Sequence, residues 1–386
     1  MDKNWQKASL ELRDFVTSNP SIEIGQNAMV IPGDVRPQFY RLFDKTRTAF
    51  ISDNFPELLE KAEVLSRAYR QTAASVQNAL NLENIDLSAG LNWFLQNPLD
   101  GLMRLLFEPL FDLLKGKCDI TAFEEIASLV VQDTFKLYFH EGYQRWATLA
   151  FMQSAAPDRI WNVKVEDYIQ DPSTSGGDLA PGDHVEQVPA PVETRKIVFT
   201  QHLYCSFLTP KAIVHSNRLG LFMGLRTDFY ETRWTASSHS EKQYWLDLDA
   251  IYSQHGRSGL WPDLAVYLDE SGPCDLSLVA DYYRVAQPDV IIEFMEDADW
   301  YQAGKLEQIR RHYQVLHPRL GSFIACRETL PENVLKDIDK NPLEVAGTAQ
   351  KQPIPSDIRL LNVGYDPAGF EPVFNAILDR QAKQPP

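Results

Sequence analysis

From Trp5 to about Ala156 the apolar residues recur at helical spacing, and Val or Ile runs of the strand kind are nearly absent. This half of the chain therefore reads as a helical domain. Phe39, Leu42, Phe43, Thr46 and Phe50 share one stripe, with Pro37 in the expected first turn, where its missing N–H costs nothing. A second helix is expected from about Pro56 through Leu65, Ala68 and Val76 to Leu80. Thr121-Ala122-Phe123-Glu124 has the form of a capping box, in which hydroxyl and carboxylate satisfy orphan amides. The helix it opens is expected to carry Ile126, Leu129, Val130, Phe135 and Trp146.

The most apolar stretch runs from Leu91 to Leu114, and about 20 apolar residues suffice to cross a bilayer. Asp100, Arg104, Glu108 and Asp112 fall at successive fourth positions, however, and form one polar stripe. Pro98 and Pro109 interrupt the helical ladder as well. Four charges in hydrocarbon cost too much for a span. An interfacial helix normally shows a Lys/Arg-rich face, whereas this one is acidic, so packing inside the helical domain is expected.

Residues 171–193 are rich in Pro, Gly, Ser and acid and show no apolar period. They read as a linker or long exposed loop. Beyond them the texture changes: residues 195–208 and 219–234 are dense in β-branched and aromatic residues and look like paired strands. The expected organisation is an all-α domain over 1–165, a linker or exposed loop over 166–193, and an α/β domain over 194–386.

Composition narrows the function classes. The chain has 386 residues with 44% hydrophobic and 23% charged, an ordinary globular balance. Its net charge of -16 argues against a broad electrostatic grip on nucleic acid, which needs basic surface to displace counterions. Any such contact would rest on a local site. Cys118, Cys205, Cys274 and Cys326 are too dispersed for a disulfide-dense secreted domain or a zinc knuckle. With no signal-peptide-like apolar core at the N-terminus, a cytoplasmic protein without a transmembrane segment is expected. No phosphate-binding loop, nucleophile elbow or dinucleotide fingerprint is present, and His140-Glu141 lacks the second histidine of a zinc helix.

Candidate chemistry concentrates near the C-terminal third. The pattern predicts a helix over 241–254, strands over 262–268, 276–285 and 288–294, a helix over 303–316 and a strand over 321–326. Along the third strand Asp289, Ile291, Glu293 and Met295 share a face, which puts an acid in an apolar run. Asp263, after Trp261-Pro262, is its natural companion. Two carboxylates from adjacent strand ends can hold a hard cation such as Mg2+, with Asp289 as a substitute acid.

These residues resemble the PD-(D/E)XK nuclease superfamily, and within it the Uma-type putative restriction endonucleases. The resemblance is carried by Pro262-Asp263-Leu264-Ala265-Val266, then Pro288-Asp289-Val290-Ile291-Ile292-Glu293, then Asp299, Lys305 and Tyr313. It implies an αβββαβ core in an α+β multidomain chain, with Asp263 and Glu293 binding Mg2+. Met295 stands where the superfamily's lysine would be, and the resemblance gives that role to Lys305 on the following helix. Two functions stand open: a Mg2+-dependent nuclease acting on DNA or RNA, or a catalytically inactive nuclease-like fold whose helical domain engages a protein partner.

Overall fold

The computed structural model describes residues 3–25, 28–164, 190–199, 212–227, 245–247, 262–276, 284–302, 304–332 and 358–382. The chain is mixed α and β, with a helical N-terminal region and a large mixed sheet. It divides into two compact units, Met1–Gln71 with Leu87–Trp146, and Thr72–Asp86 with Ala147–Pro386. The expected 166–193 linker lies outside the described residues except at its end, which forms a strand. The unit division falls instead inside a long helix.

The first unit contains α1 (Asn4–Ser18), the short pair β1 (Glu23–Ile24) and β2 (Met29–Val30), and α2 (Arg36–Asn54). α3 (Pro56–Leu80) follows, and its last turns belong to the second unit. The stripe on α2 packs as its spacing predicts, with Phe39, Phe43 and Phe50 fully buried. Each such phenylalanine contributes about 1.5–3 kcal/mol through burial. Phe50 meets Trp5 edge-on at 5.2 Å and Phe123 at 5.3 Å, which joins α1, α2 and the later long helix.

The apolar stretch breaks into α4 (Ala89–Gln96), α5 (Pro98–Leu105) and α6 (Phe107–Leu114). Pro98 opens α5 and the Asn97 side chain caps it, accepting from the Asp100 N–H. Leu91, Phe94, Leu95, Leu102, Leu106, Leu110 and Leu113 are buried. Asp100, Arg104 and Glu108 are exposed, and the Arg104 guanidinium lies 3.6 Å from the centre of the Trp93 ring. Among the described residues no helix is long and apolar enough to cross a membrane.

α7 (Ile120–Ser154) starts earlier than the capping-box reading expects. Its cap is Asp119, whose carboxylate accepts from the Ala122 N–H at 2.8 Å, so Thr121 and Glu124 lie inside the helix. The buried stripe is correspondingly Phe123, Ala127, Val131, Phe135 and Phe139, while Ile126, Leu129 and Leu137 are 49%, 60% and 53% exposed.

In the second unit, β3 (Asn84–Asp86) pairs in parallel with β6 (Lys196–Val198). The large sheet takes in β4 (Pro157–Lys164), β5 (Ala190–Glu193), β7 (Ala212–Ser216), β8 (Leu221–Arg226), β10 (Leu264–Asp269), β12 (Val290–Met295), β13 (Ser322–Cys326) and β14 (Ile358–Asn362). Their order is β14-β13-β12-β10-β8-β7-β4-β5. β4 and β5, at either end of the expected linker, are antiparallel neighbours within this sheet.

Two expectations for the αβββαβ core are corrected. Trp245–Asp247, inside the expected first helix, is a strand, β9. The described part of the expected middle strand, β11 (Arg284–Ala286), pairs with β9 in a separate two-stranded sheet rather than joining the large one. Leu276, at the expected start of that middle strand, lies in a turn, and the remainder of both segments lies outside the described residues. The remaining elements form as read: β10 and β12 are antiparallel, and β12 leads through α8 (Lys305–Leu316) to its parallel neighbour β13.

Every residue of β12 is buried, as its near-continuous apolar run requires for a strand covered on both faces. On one face Met295 packs with Ile309 of α8, Trp300, Ile324 and Cys326. On the other, Phe294 meets Phe370, which with Phe374 of α9 (Glu371–Gln381) packs on Phe151 near the end of α7. Gly369 permits this closure, since a Cβ there would fall 2.7 Å from the Val363 Cα.

Candidate functional site

The antiparallel register of β10 and β12 pairs Leu264 with Ile292 and Ala265 with Ile291, so Asp263 stands across from Glu293. Glu293 is 4% exposed in an otherwise apolar strand, where an ionised group without partners would be prohibitive. Its Oε1 lies 2.6 Å from Nδ1 of His312, itself 1% exposed. Its Oε2 accepts from the Asp263 N–H at 3.4 Å, and Asp263 Oδ2 in turn accepts from the Phe294 N–H at 2.7 Å. Asp263 is half-buried at the strand entrance.

His312 sits on the buried face of α8, one turn after Ile309 and one before Leu316. The helix residue that meets Glu293 is therefore His312. Lys305 opens the same helix seven residues earlier, roughly 10.5 Å along its axis. Met295, where the resemblance would place a lysine, is 3% exposed within an apolar cluster, so packing fills that place. Asp299 is exposed, and Tyr313 lies buried beside His312 on the helix.

Asp289 does not belong to the pair. It precedes β12 and stands four residues from Glu293, roughly 13 Å along the strand. Its carboxylate accepts from the Leu268 N–H at 2.8 Å, from Arg319 at 2.6 Å and from Arg380 at 3.0 Å. Burial pushes its pKa up, while Arg319, the Leu268 amide and Arg380 pull it down. Tyr267, on β10 near this end of the sheet, has its hydroxyl pushed up to about 12 by burial, with Arg226 acting in the opposite direction.

Among the described residues no three His, Cys, Asp or Glu side chains are grouped so as to hold a metal ion. Mg2+ asks for less, being commonly bound by one or two carboxylates with water and substrate phosphate completing its shell. Asp263 and Glu293 fit that requirement in donor type and number. No metal-ligand spacing in the sequence marks His312. The available signal was a histidine on the apolar Ile309–Leu316 face. Arg319 and Arg380 left no local signal, since they reach Asp289 from 30 and 91 residues away.

Comparison with protein-family models, with curated proteins and with solved structures finds no match.

Proposed function

We propose that the C-terminal unit is a Mg2+-dependent phosphodiester hydrolase of the PD-(D/E)XK kind, acting on DNA or RNA at Asp263 and Glu293. The observation that carries this reading is the register that sets Asp263 directly across from Glu293 on neighbouring strands. Asp263 and Glu293 hold the cation, and His312 fixes the Glu293 carboxylate from behind. Bound Mg2+ would supply an activated water and neutralise charge on the phosphate. Lys305 keeps the role that the resemblance gives it, a cation approaching the phosphate from the start of α8.

The second reading is an inactive nuclease-like fold acting as a protein-interaction adaptor. It is favoured by the exposed Ile126, Leu129 and Leu137 on α7 and by the net charge of -16. One experiment separates the two. Calorimetric titration with Mg2+ and Mn2+, together with cleavage assays on single- and double-stranded DNA and RNA, should show metal binding and cleavage by the native chain. Both should be lost in Asp263→Asn and Glu293→Gln, and Lys305→Ala should bind metal but cleave poorly. Absence of both from the folded native protein leaves the adaptor reading.

A further inference from the structure

A cavity of about 280 Å³ opens in the second unit at the end of the sheet away from the Asp263–Glu293 pair. It lies just below the roughly 300–1,000 Å³ of drug-sized ligand pockets, which suits a molecule of a few heavy atoms better than a nucleotide chain. Its wall holds the buried Asp289 with Arg319 and Arg380, whose side chains are each 32% exposed. One guanidinium would neutralise Asp289. The second leaves this cluster with an excess positive charge, and each guanidinium has five N–H donors of which Asp289 uses few.

The opposite charge comes from the end of β10 and the residue after it, where Asp269 and Glu270 also line the cavity. Asp269 is held in place as its Oδ1 accepts from the Ser271 and Gly272 amides at 2.6 and 3.1 Å. A simple anion would gain from the arginines and be repelled by these acids, and a simple cation would meet the reverse. A zwitterion satisfies both. Leu276, Leu320 and Ile377 add an aliphatic wall.

We infer that this cavity binds a free α-amino acid with an aliphatic side chain, its carboxylate on Arg319 and Arg380 and its ammonium group toward Asp269 and Glu270. Nothing in this rests on the nuclease reading. Isothermal titration of the full chain with leucine, isocaproate and isoamylamine tests it, since the last two are leucine without its ammonium or its carboxylate. Leucine should bind more tightly than either. Arg380→Gln, which leaves Arg319 on Asp289, should weaken leucine by about tenfold or more, the scale of a lost charged hydrogen bond. Glu270→Gln at the exposed rim should fold normally and narrow the preference for leucine over isocaproate. No heat with leucine, isocaproate or isoamylamine binding as well as leucine, or a preference unchanged in Glu270→Gln would each overturn the inference.

Discussion

Replacing His312 by leucine removes the imidazole whose Nδ1 lies 2.6 Å from the Glu293 carboxylate. The carboxylate is 4% exposed and its partner 1% exposed, so neither can turn to water without opening the strand–helix contact. Breaking a buried pair from one side costs about 3–5 kcal/mol. Near the melting temperature each kcal/mol moves a unit of this size by roughly 2–4 °C, giving a loss of about 6–20 °C. Glu293→Leu takes away only the carboxylate side of this contact and costs less, about 1–3 kcal/mol. The double variant removes both polar groups, so it should be more stable than His312→Leu alone, with a coupling energy of about 2 kcal/mol or more. Urea and thermal melts of the four proteins provide the cycle. A His312→Leu protein that melts within about 2 °C of the native chain, or losses that simply add, would refute the claim that these groups form one buried unit.

Three further outcomes follow from local geometry. Asp119→Ala should cost about 1 kcal/mol by removing the cap of α7, while Thr121→Ala should leave the thermal melt nearly unchanged. Gly101→Ala should destabilise by about 1–3 kcal/mol in urea melts, because a Cβ there would fall 2.8 Å from the Phe94 Cα. Arg218 holds Glu371 below its ordinary value of 4.5 through paired bonds of 2.7 and 2.6 Å. The stability this adds is present above pH 4.5, is lost as pH falls through the lowered folded value, and stays under about 1 kcal/mol because the Glu371 side chain is 47% exposed and its charge is screened by water. Arg218→Gln should remove that acid-side dependence, and an NMR titration of Glu371 would show its pKa returning upward.

Period and punctuation made much of the first unit legible. The α2 stripe and the bounds of α3 follow from spacing and from Pro37 and Pro56, and Pro98 correctly interrupts the apolar stretch. The start of α7 is ambiguous in the sequence because two capping residues, Asp119 and Thr121, compete within three positions, and only the fold shows that Asp119 wins. That shift also decides which apolar residues face inward, leaving Ile126 and Leu129 outside. In the second unit, β10, β12, α8 and β13 were legible from short apolar runs and one amphipathic helix. Trp245–Asp247 looked helical because its apolar residues fit either period over so short a span, and its strand state depends on β11, far along the chain. Asp263 and Glu293 were found by parity and spacing. Their helix partner was not, because a lone histidine on an apolar face announces no chemistry.

β12 brings these observations together, with one buried carboxylate just before it and another near its end. Asp289 is tied by two arginines from elsewhere in the chain, and Glu293 by a histidine and a backbone amide. Apolar residues of similar volume would commonly serve stability as well or better, so neither acid is explained by stability alone. The two arrangements share no bonding partner among those named and stand roughly 13 Å apart along the strand. Sites at that distance normally add within about 0.3–0.5 kcal/mol. Asp289→Asn and Glu293→Gln should therefore have additive effects in urea melts, and Glu293→Gln should leave leucine binding unchanged. Marked coupling between them would mean that the sheet carries one extended polar network rather than two separate sites.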